Sequence, residues 1–358
     1  IDPRAAQVAG LSLWLRAHKS WADNGIKPAQ RAQISRSNIV CAEPMPGESG
    51  MLSEFTSQIQ PPVLGSLVET VFNKMQLAGE AGSLLKIEQE IQTAIHKARA
   101  EYIKNEQWQK GDLTLIQGTE ENVDEQFWLN IESSILAELE NYAEKASNQG
   151  SIQRRLFASD AAKGFAFIDL CRKRFDVVVM NPPFGDSSRD TKKYIDNVYS
   201  KSKSNLLACF IERGIEMGVQ GAKIGTLVSR TGYYLSTLSG FRKHILENSQ
   251  IDCHVDLGSK VLDAMVEVAS SVFSKGKNSD SPSPFIRLLV KKEKEELLHR
   301  EVNSLSNGSI SDCTFMVPQS QFEIIDSAPF IYWIPIKVAK KIAKHKPIEP
   351  SKAEIRVG

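Results

Sequence analysis

No apolar run in the chain approaches the length of a membrane span, and the amino terminus lacks a basic-then-apolar signal segment. Membrane-spanning and secreted roles are therefore set aside, and a cytoplasmic protein is expected, with no membrane among its partners. Cysteine is sparse. The five residues Cys41, Cys171, Cys209, Cys253 and Cys313 are widely spaced, with no Cys-x-x-Cys pair and no histidine at metal-ligand spacing. Buried reduced thiols are expected and a metal site is not. Net charge is nearly absent too, since 44 Lys and Arg face 43 Asp and Glu for a formal +1. Any contact with a polyanion must then come from local basic clusters or from a domain outside this chain. The candidates are Arg172, Lys173, Arg174, Lys192, Lys193, Lys201 and Lys203, although single cations of this kind are more often a solvated face.

What is present is more specific. At 358 residues and 41% hydrophobic content, the chain can bury a full α/β core with a helical appendage. Its most informative stretch runs Phe175-Asp176-Val177-Val178-Val179-Met180-Asn181-Pro182-Pro183-Phe184-Gly185. The β-branched run reads as a buried central parallel strand, and ligands of open α/β sheets bind at the carboxyl ends of such strands. The four residues that follow suit methylation of an exocyclic amine. Such an amine is a poor nucleophile because its lone pair is delocalised into the ring. The Asn181 side-chain oxygen and the Pro182 carbonyl can both accept hydrogen bonds from it and aim the lone pair at a methyl donor. Pro182 and Pro183 fix φ and remove two backbone donors, while Phe184 offers a ring face to a flipped base. Asn-Pro-Pro after a strand is also an ordinary way to stop a sheet, with the aromatic as core. By composition, such a tetrapeptide arises by chance in roughly one chain in several hundred of this length.

Along the chain, Asp2 reads as an N-cap and Pro3 as the first position of a helix over Ala5–Leu15. The opening looks like the end of a strand entering a helix, so an internal segment of a longer protein is expected, and the carboxyl end looks equally unfinished. Residues 38–42 read as a short strand, with the loop Glu43–Gly47 at its carboxyl end. Helical stripes follow in Leu64, Leu67, Val68, Val71, Phe72 and Met75, in Leu84, Ile91, Ile95, Ala98 and Tyr102, and in Phe127, Ile131, Ile135, Leu139 and Tyr142. They are packing faces rather than a cofactor box. A helix over 161–174 leads into the strand 176–180. Beyond a polar loop at 186–203, the sequence predicts a helix over 206–217, a strand over 223–229, a helix near 240–247, and strands at 251–257, 266–273 and 285–290. This alternation predicts an α/β fold, a doubly wound sheet ending in an antiparallel hairpin.

Several of these stretches together carry a resemblance. Ile1-Asp2-Pro3-Arg4-Ala5, Ile39 through Met45, Asn181-Pro182-Pro183-Phe184-Gly185, Ser204-Asn205-Leu206 with Phe210-Ile211-Glu212-Arg213, and Asp256-Leu257-Gly258 with Val261-Leu262-Asp263 span most of the chain. It resembles the gamma-class adenine-specific DNA methyltransferases, and among them the BREX phage-defence methyltransferases of the PglX kind and their type IIG restriction-modification relatives. Ala264-Met265-Val266-Glu267, continuing the last grouping, points to the former. The resemblance implies a Rossmann-like class I methyltransferase sheet, incomplete at the amino terminus, with a helical insertion. It implies residues 1–44 as a partial cofactor-side half, 45–160 as the insertion, 161–300 as the catalytic half, and 301–358 as the start of a region leading to target recognition.

By the same resemblance the cofactor is S-adenosyl-L-methionine, and the partners are double-stranded DNA and other subunits of the defence system. Asn181, Pro182, Pro183 and Phe184 take the catalytic role; Ile1, Glu43 and Asn181 touch the cofactor. Glu43 stands where the family commonly has Asp, and a solvated loop carboxylate explains it about as well. The family's methionine-binding loop would lie before Ile1, so this stretch alone is expected to be inactive and poorly soluble. Where some members place an aromatic that sandwiches the flipped base, this chain has Val261 and Leu262. Tyr233, Tyr234 and Phe241 are the alternatives, better explained as core. Two other readings stay open, amine methylation of RNA or of a protein glutamine, and a noncatalytic fragment that binds DNA or partner subunits.

Overall fold

The periodic stripes become buried helix faces. The computed structural model describes residues 3–32, 38–47, 49–104, 123–148, 151–183, 185–261, 266–276 and 280–345. These residues form two compact units, divided between Lys173 and Arg174. The first is helical among its described residues: α1 (Pro3–Asp23), α2 (Ser49–Gln58), α3 (Pro62–Lys74), α4 (Ala78–Ala81), α5 (Ile87–Lys104), α6 (Val123–Asn148) and α7 (Ile152–Arg172). Pro62 opens α3, where a missing N–H has no helical partner to lose, and Leu64, Leu67, Val68, Val71 and Phe72 are buried along it. In α6 the buried apolar positions are Phe127, Trp128, Ile131, Ile135, Leu139 and Tyr142, and Glu132 is buried beside them. Phe55, Phe72, Tyr142 and Phe157 gather α2, α3, α6 and α7 around one aromatic cluster, with ring centroids 5.6–6.2 Å apart. A Cβ on Gly65 would lie 2.7 Å from the Thr56 carbonyl oxygen, so only glycine lets α3 approach α2 this closely.

Several boundaries differ from expectation. The strand expected over 38–42 is absent; that stretch is irregular and has no ladder partner among the described residues. Leu84 belongs to a tight 3-10 turn, Gly82–Leu84, rather than to α5. The helix expected from Ala161 already starts at Ile152, because Phe157 and Ala158 extend its buried stripe. Asp2 and the side chain of Tyr102 lie outside the described residues.

The second unit is a mixed α/β layer built on a six-stranded sheet of order β1-β2-β4-β3-β5-β6. Its strands are β1 (Phe175–Met180), β2 (Gly218–Ser229), β3 (Ser249–Gly258), β4 (Val268–Lys275), β5 (Ser283–Arg287) and β6 (Thr314–Val317). Its helices are α8 (Arg189–Val198), α9 (Leu206–Met217), α10 (Ser239–Asn248), α11 (Lys294–Ser306), α12 (Ser320–Glu323) and α13 (Ile336–Lys344). β1 pairs parallel with β2, β4 lies antiparallel to both β2 and β3, and β5 runs parallel to β3. The β3–β4 pair is the antiparallel hairpin expected from the sequence; β6, antiparallel to β5, was not expected. The carboxyl ends of β1, β2, β3 and β5 therefore share one rim. One face of the sheet packs on α9 and α10 through Leu207, Ile211, Ile224, Phe241, Ile245 and Phe273, and the other carries Val255, Leu257, Ile286 and Leu288 under α11.

Strand β1, expected to be central, is an edge strand of the described sheet, and its burial departs from expectation on one side. Val178 and Met180 pack on the core, whereas Val177 and Val179 are 60% and 79% exposed. A Cβ on Gly214 would come within 2.3 Å of Met180 Cε, so the bare backbone of α9 there seats the end of β1.

Candidate functional site

The Asn181–Pro183 turn leaves β1 directly, at the rim where ligands of such sheets bind. Asn181 and Pro183 are exposed and Pro182 is buried, and no hydrogen bond engages the Asn181 side chain among the described residues. Phe184 lies outside the described residues. Gly185 has φ of 119°, a conformation that favours glycine, and its carbonyl accepts from Leu206 N–H at 3.0 Å. That bond ties the turn to the start of α9, whose N-cap Asn205 accepts from Leu207 N–H at 3.1 Å. Between them, Ser188 caps α8, and the buried Ser202 hydroxyl donates to Glu212. The motif's exit is thus held at both ends by caps that the polar composition of 186–205 supplies.

The neighbouring rim positions converge on a buried carboxylate. Asp256, fully buried on β3, receives Arg230 Nε at 2.7 Å and Nη2 at 2.9 Å, and the hydroxyls of Tyr234 and Tyr332 at 3.0 Å each. Burial works to raise its pKa, but the Arg230 hydrogen bonds, the charges around it and the Tyr234 hydroxyl win, so the carboxyl sits below its usual range. Arg230 also reaches Glu267 at 2.9 Å and is held charged, mainly by Asp256. Burial pushes the Tyr234 and Tyr332 hydroxyls up, so both stay protonated donors.

A second buried arginine braces this rim. Arg242, on α10, donates to the carbonyls of Gly232, Leu235, Ser327 and Ala328 at 2.7–3.2 Å. It therefore clamps the turn carrying Tyr233 and Tyr234 to the segment carrying Phe330, Tyr332 and Trp333. Burial lowers its pKa to about 10, still high enough to keep it charged at neutral pH. Below it, His254 is enclosed by Tyr233, Phe285, Phe330 and Tyr332 and is pushed down to about 4 by burial. Its Nδ1 meets Ser271 Oγ at 2.8 Å, and its Nε2 has no hydrogen-bond partner among the described residues.

The other named residues separate. Glu43 belongs to the first unit, where Pro44 packs on Gly79 and Met45 on Gly164. Those two contacts fix the loop, leaving Glu43 half-buried and close enough to Lys163 to act on its charge, after the stronger 2.8 Å bond of Lys163 to Asp160. Ile1 and Leu262 lie outside the described residues. Val261 lines an open cavity of about 950 Å³ with Leu257, Lys260 and Leu298, and Lys294 there donates to the carbonyls of Leu257 and Ser259. Tyr233 and Phe241 are core. Among the basic candidates, Lys173, Lys192 and Lys201 pair with Asp169, Asp196 and Glu247, and Arg172 stacks on Trp128, while Lys193 and Lys203 are exposed.

Sequence reasoning missed Arg230, Arg242, Arg287 and the 330–333 aromatics as parts of the rim. Arg230 follows a strand end and the three aromatics fall within four residues, but neither signal says which carboxylate they meet. Among the described residues no His, Cys, Asp and Glu cluster could hold a metal, and no helix is long and apolar enough to cross a membrane.

No curated protein sequence matches the chain. Solved structures that resemble it include the type I restriction-modification methyltransferase subunit of Streptococcus thermophilus, at 13% identity and TM-score 0.37, covering 77% of this chain and 81% of that one. A Vibrio vulnificus protein assigned as a type I modification subunit matches at 14% and 0.36, covering 82% and 77%. A Listeria monocytogenes protein assigned as a class I S-adenosylmethionine-dependent methyltransferase matches at 14% and 0.32, covering 72% and 96%. The family model described as Eco57I restriction-modification methylase matches residues 1–262, which include the β1 turn, Arg230 and Asp256. The chain belongs to the Eco57I restriction-modification methylase family.

Proposed function

We propose that this chain is the methyltransferase part of a restriction-modification or phage-defence enzyme of the BREX and type IIG kind, acting on the exocyclic amine of adenine in double-stranded DNA. The observation that carries this reading is the placement of Asn181-Pro182-Pro183 on the carboxyl rim of a parallel strand, with the Asn181 amide exposed and uncommitted among the described residues. Asn181 Oδ1 and the Pro182 carbonyl accept the two amine hydrogens, and the rigid proline pair holds those acceptors at fixed spacing. Phe184 stacks on the flipped base. With a methyl donor bound, these acceptors would aim the amine nitrogen at the methyl group, and the surplus amine proton would pass to solvent.

S-adenosylmethionine, when bound, supplies an electrophilic methyl group. Each unit by itself offers a suitable polar group: Glu43, in the first, is a half-buried carboxylate with no hydrogen bond among the described residues, and Asn181, in the second, has an exposed side-chain amide; in this reading Glu43 would accept from the cofactor's polar edge and Asn181 would approach the methyl. Ile1 would flank the adenine ring. In this reading residues 1–44 and 161–300 are the cofactor-side and catalytic halves of one domain, 45–160 is an insertion, and 301–358 leads to target recognition.

The test is methyl transfer from labelled S-adenosylmethionine to unmethylated DNA by the full-length protein, with Asn181→Ala as control. Label on adenine, reduced at least about a hundredfold in the control, is expected. Label on RNA or on protein glutamine would move the substrate, and absence of cofactor binding would favour a noncatalytic DNA-binding or partner-binding role.

A further inference from the structure

Arg287 closes β5 on the same rim as Asn181, Arg230 and Asp256. Its guanidinium lies over the Trp333 ring, 4.6 Å from the centroid, and no carboxylate pairs with it among the described residues. The contrast with Arg230 is direct, since Arg230 also lies over a ring, Tyr234 at 4.8 Å, but is consumed by Asp256 and Glu267. Both rings belong to one braced platform. Tyr234 and Trp333 are 5.8 Å apart, Tyr332 meets Trp333 edge-on at 5.1 Å, and Tyr332 is anchored on Asp256. Arg287 itself sits on a strand, its N–H donating to the Cys313 carbonyl at 2.8 Å, so its position is set by the sheet.

A guanidinium stacked on an indole keeps its N–H edge free, and that planar fork matches a phosphate. The surface beyond is cationic as well. Helix α13 starts three residues after Trp333 and carries Lys337, Lys340, Lys341 and Lys344, all exposed and none in an ion pair among the described residues. Their i, i+3, i+4, i+7 spacing puts the four on one face. Four ladder steps separate β1 from β5, so Arg287 lies roughly 19 Å from the Asn181 turn along the rim. At about 3.4 Å per base pair this is five to six base pairs of duplex.

We propose that Arg287 on its Trp333 seat, with the lysine face of α13, is a phosphate-binding track for duplex DNA flanking the target base. It rests on the DNA reading above. It positions the duplex and carries no sequence information, because its contacts are to the backbone.

The experiment measures duplex binding by the full-length protein across a salt series, for wild type, Arg287→Gln, Arg287→Lys and the pair Lys337→Gln/Lys341→Gln. The neutral Arg287 variant should bind several-fold more weakly and lose about one unit of the log–log salt slope, and the lysine pair about two. The lysine variant at 287 should keep the slope, and the loss in methyl transfer should fall on KM for DNA rather than on kcat. Unchanged slopes in the neutral variants, while wild type binds and methylates, would overturn the track and leave the function standing. Wild type that binds no duplex would remove both. Should the neutral variant fail to fold, phenylglyoxal modification of wild type decides: Arg287 protected by duplex supports the track, and equal modification with and without DNA overturns it.

Discussion

Tyr332 donates its hydroxyl hydrogen to Asp256 Oδ2 at 3.0 Å across 76 residues of chain, and so ties the segment after α12 to the end of β3. Asp256 is the point where the rim's elements meet, and its worth can be measured in parts. Tyr332→Phe removes one hydrogen bond to a charged acceptor and leaves Arg230 and Tyr234 in place, so a loss of about 1.5–3 kcal/mol is expected. Asp256→Ala leaves the largely buried Arg230 side chain without its main partner and should cost about 3–5 kcal/mol. Chemical denaturation of both variants is the check, and equal losses would contradict this ordering.

Arg242 predicts a different pattern. Among the described residues its charge is satisfied by carbonyl oxygens alone, so the lysine variant keeps the charge but cannot span Gly232, Leu235, Ser327 and Ala328 together. Arg242→Lys should destabilise by about 2 kcal/mol or more. Hydrogen exchange should quicken at 230–235 and 327–333 and leave the first unit unaffected.

Acid should act through His254. Its folded pKa of about 4 lies below the ordinary 6.5, so the folded state holds it neutral while the unfolded chain takes up a proton. Stability from this group is full above pH 6.5 and is lost as pH falls towards 4, at up to about 1.4 kcal/mol per pH unit. Melting temperature measured from pH 7.5 to 4.5 should fall with this slope, and His254→Gln should flatten the part of the curve that His254 supplies.

Gly258 should resist replacement. It has φ of 69°, and a Cβ there would lie 3.0 Å from the Leu289 carbonyl oxygen and 3.1 Å from its Cα. The left-handed backbone alone costs an alanine about 1–2 kcal/mol, and crowding of fixed backbone atoms adds to it. Gly258→Ala is therefore expected to lower the unfolding midpoint in urea, while Gly308→Ala, equally left-handed at 75° but open, should show only the conformational part.

Local pattern was readable from the sequence wherever one period dominated. The stripe from Phe127 to Tyr142 is buried as expected, and α9 runs from Leu206 to Met217 as expected, because an N-cap and an apolar face agree there. The stretch 38–42 has strand composition but no ladder partner among the described residues, and composition cannot supply one. β6 was missed because Thr314–Val317 is short and its order comes from pairing with β5, not from alternation. The Asn181 turn could be read from its chemistry. The rim around it could not, since Arg230 and Tyr332 are far from Asp256 in sequence and nothing local says that this one carboxylate will collect both of them.

That separation has a kinetic meaning. A hub that joins residues 230, 234, 256 and 332 cannot close until the loops between them have been ordered, and the entropy of those closures comes before any of the bonds. The rim should accordingly be assembled after the strands beneath it. Tyr332→Phe should then speed unfolding with little change in the refolding rate, so the durability of the finished site is governed by how slowly this hub lets go.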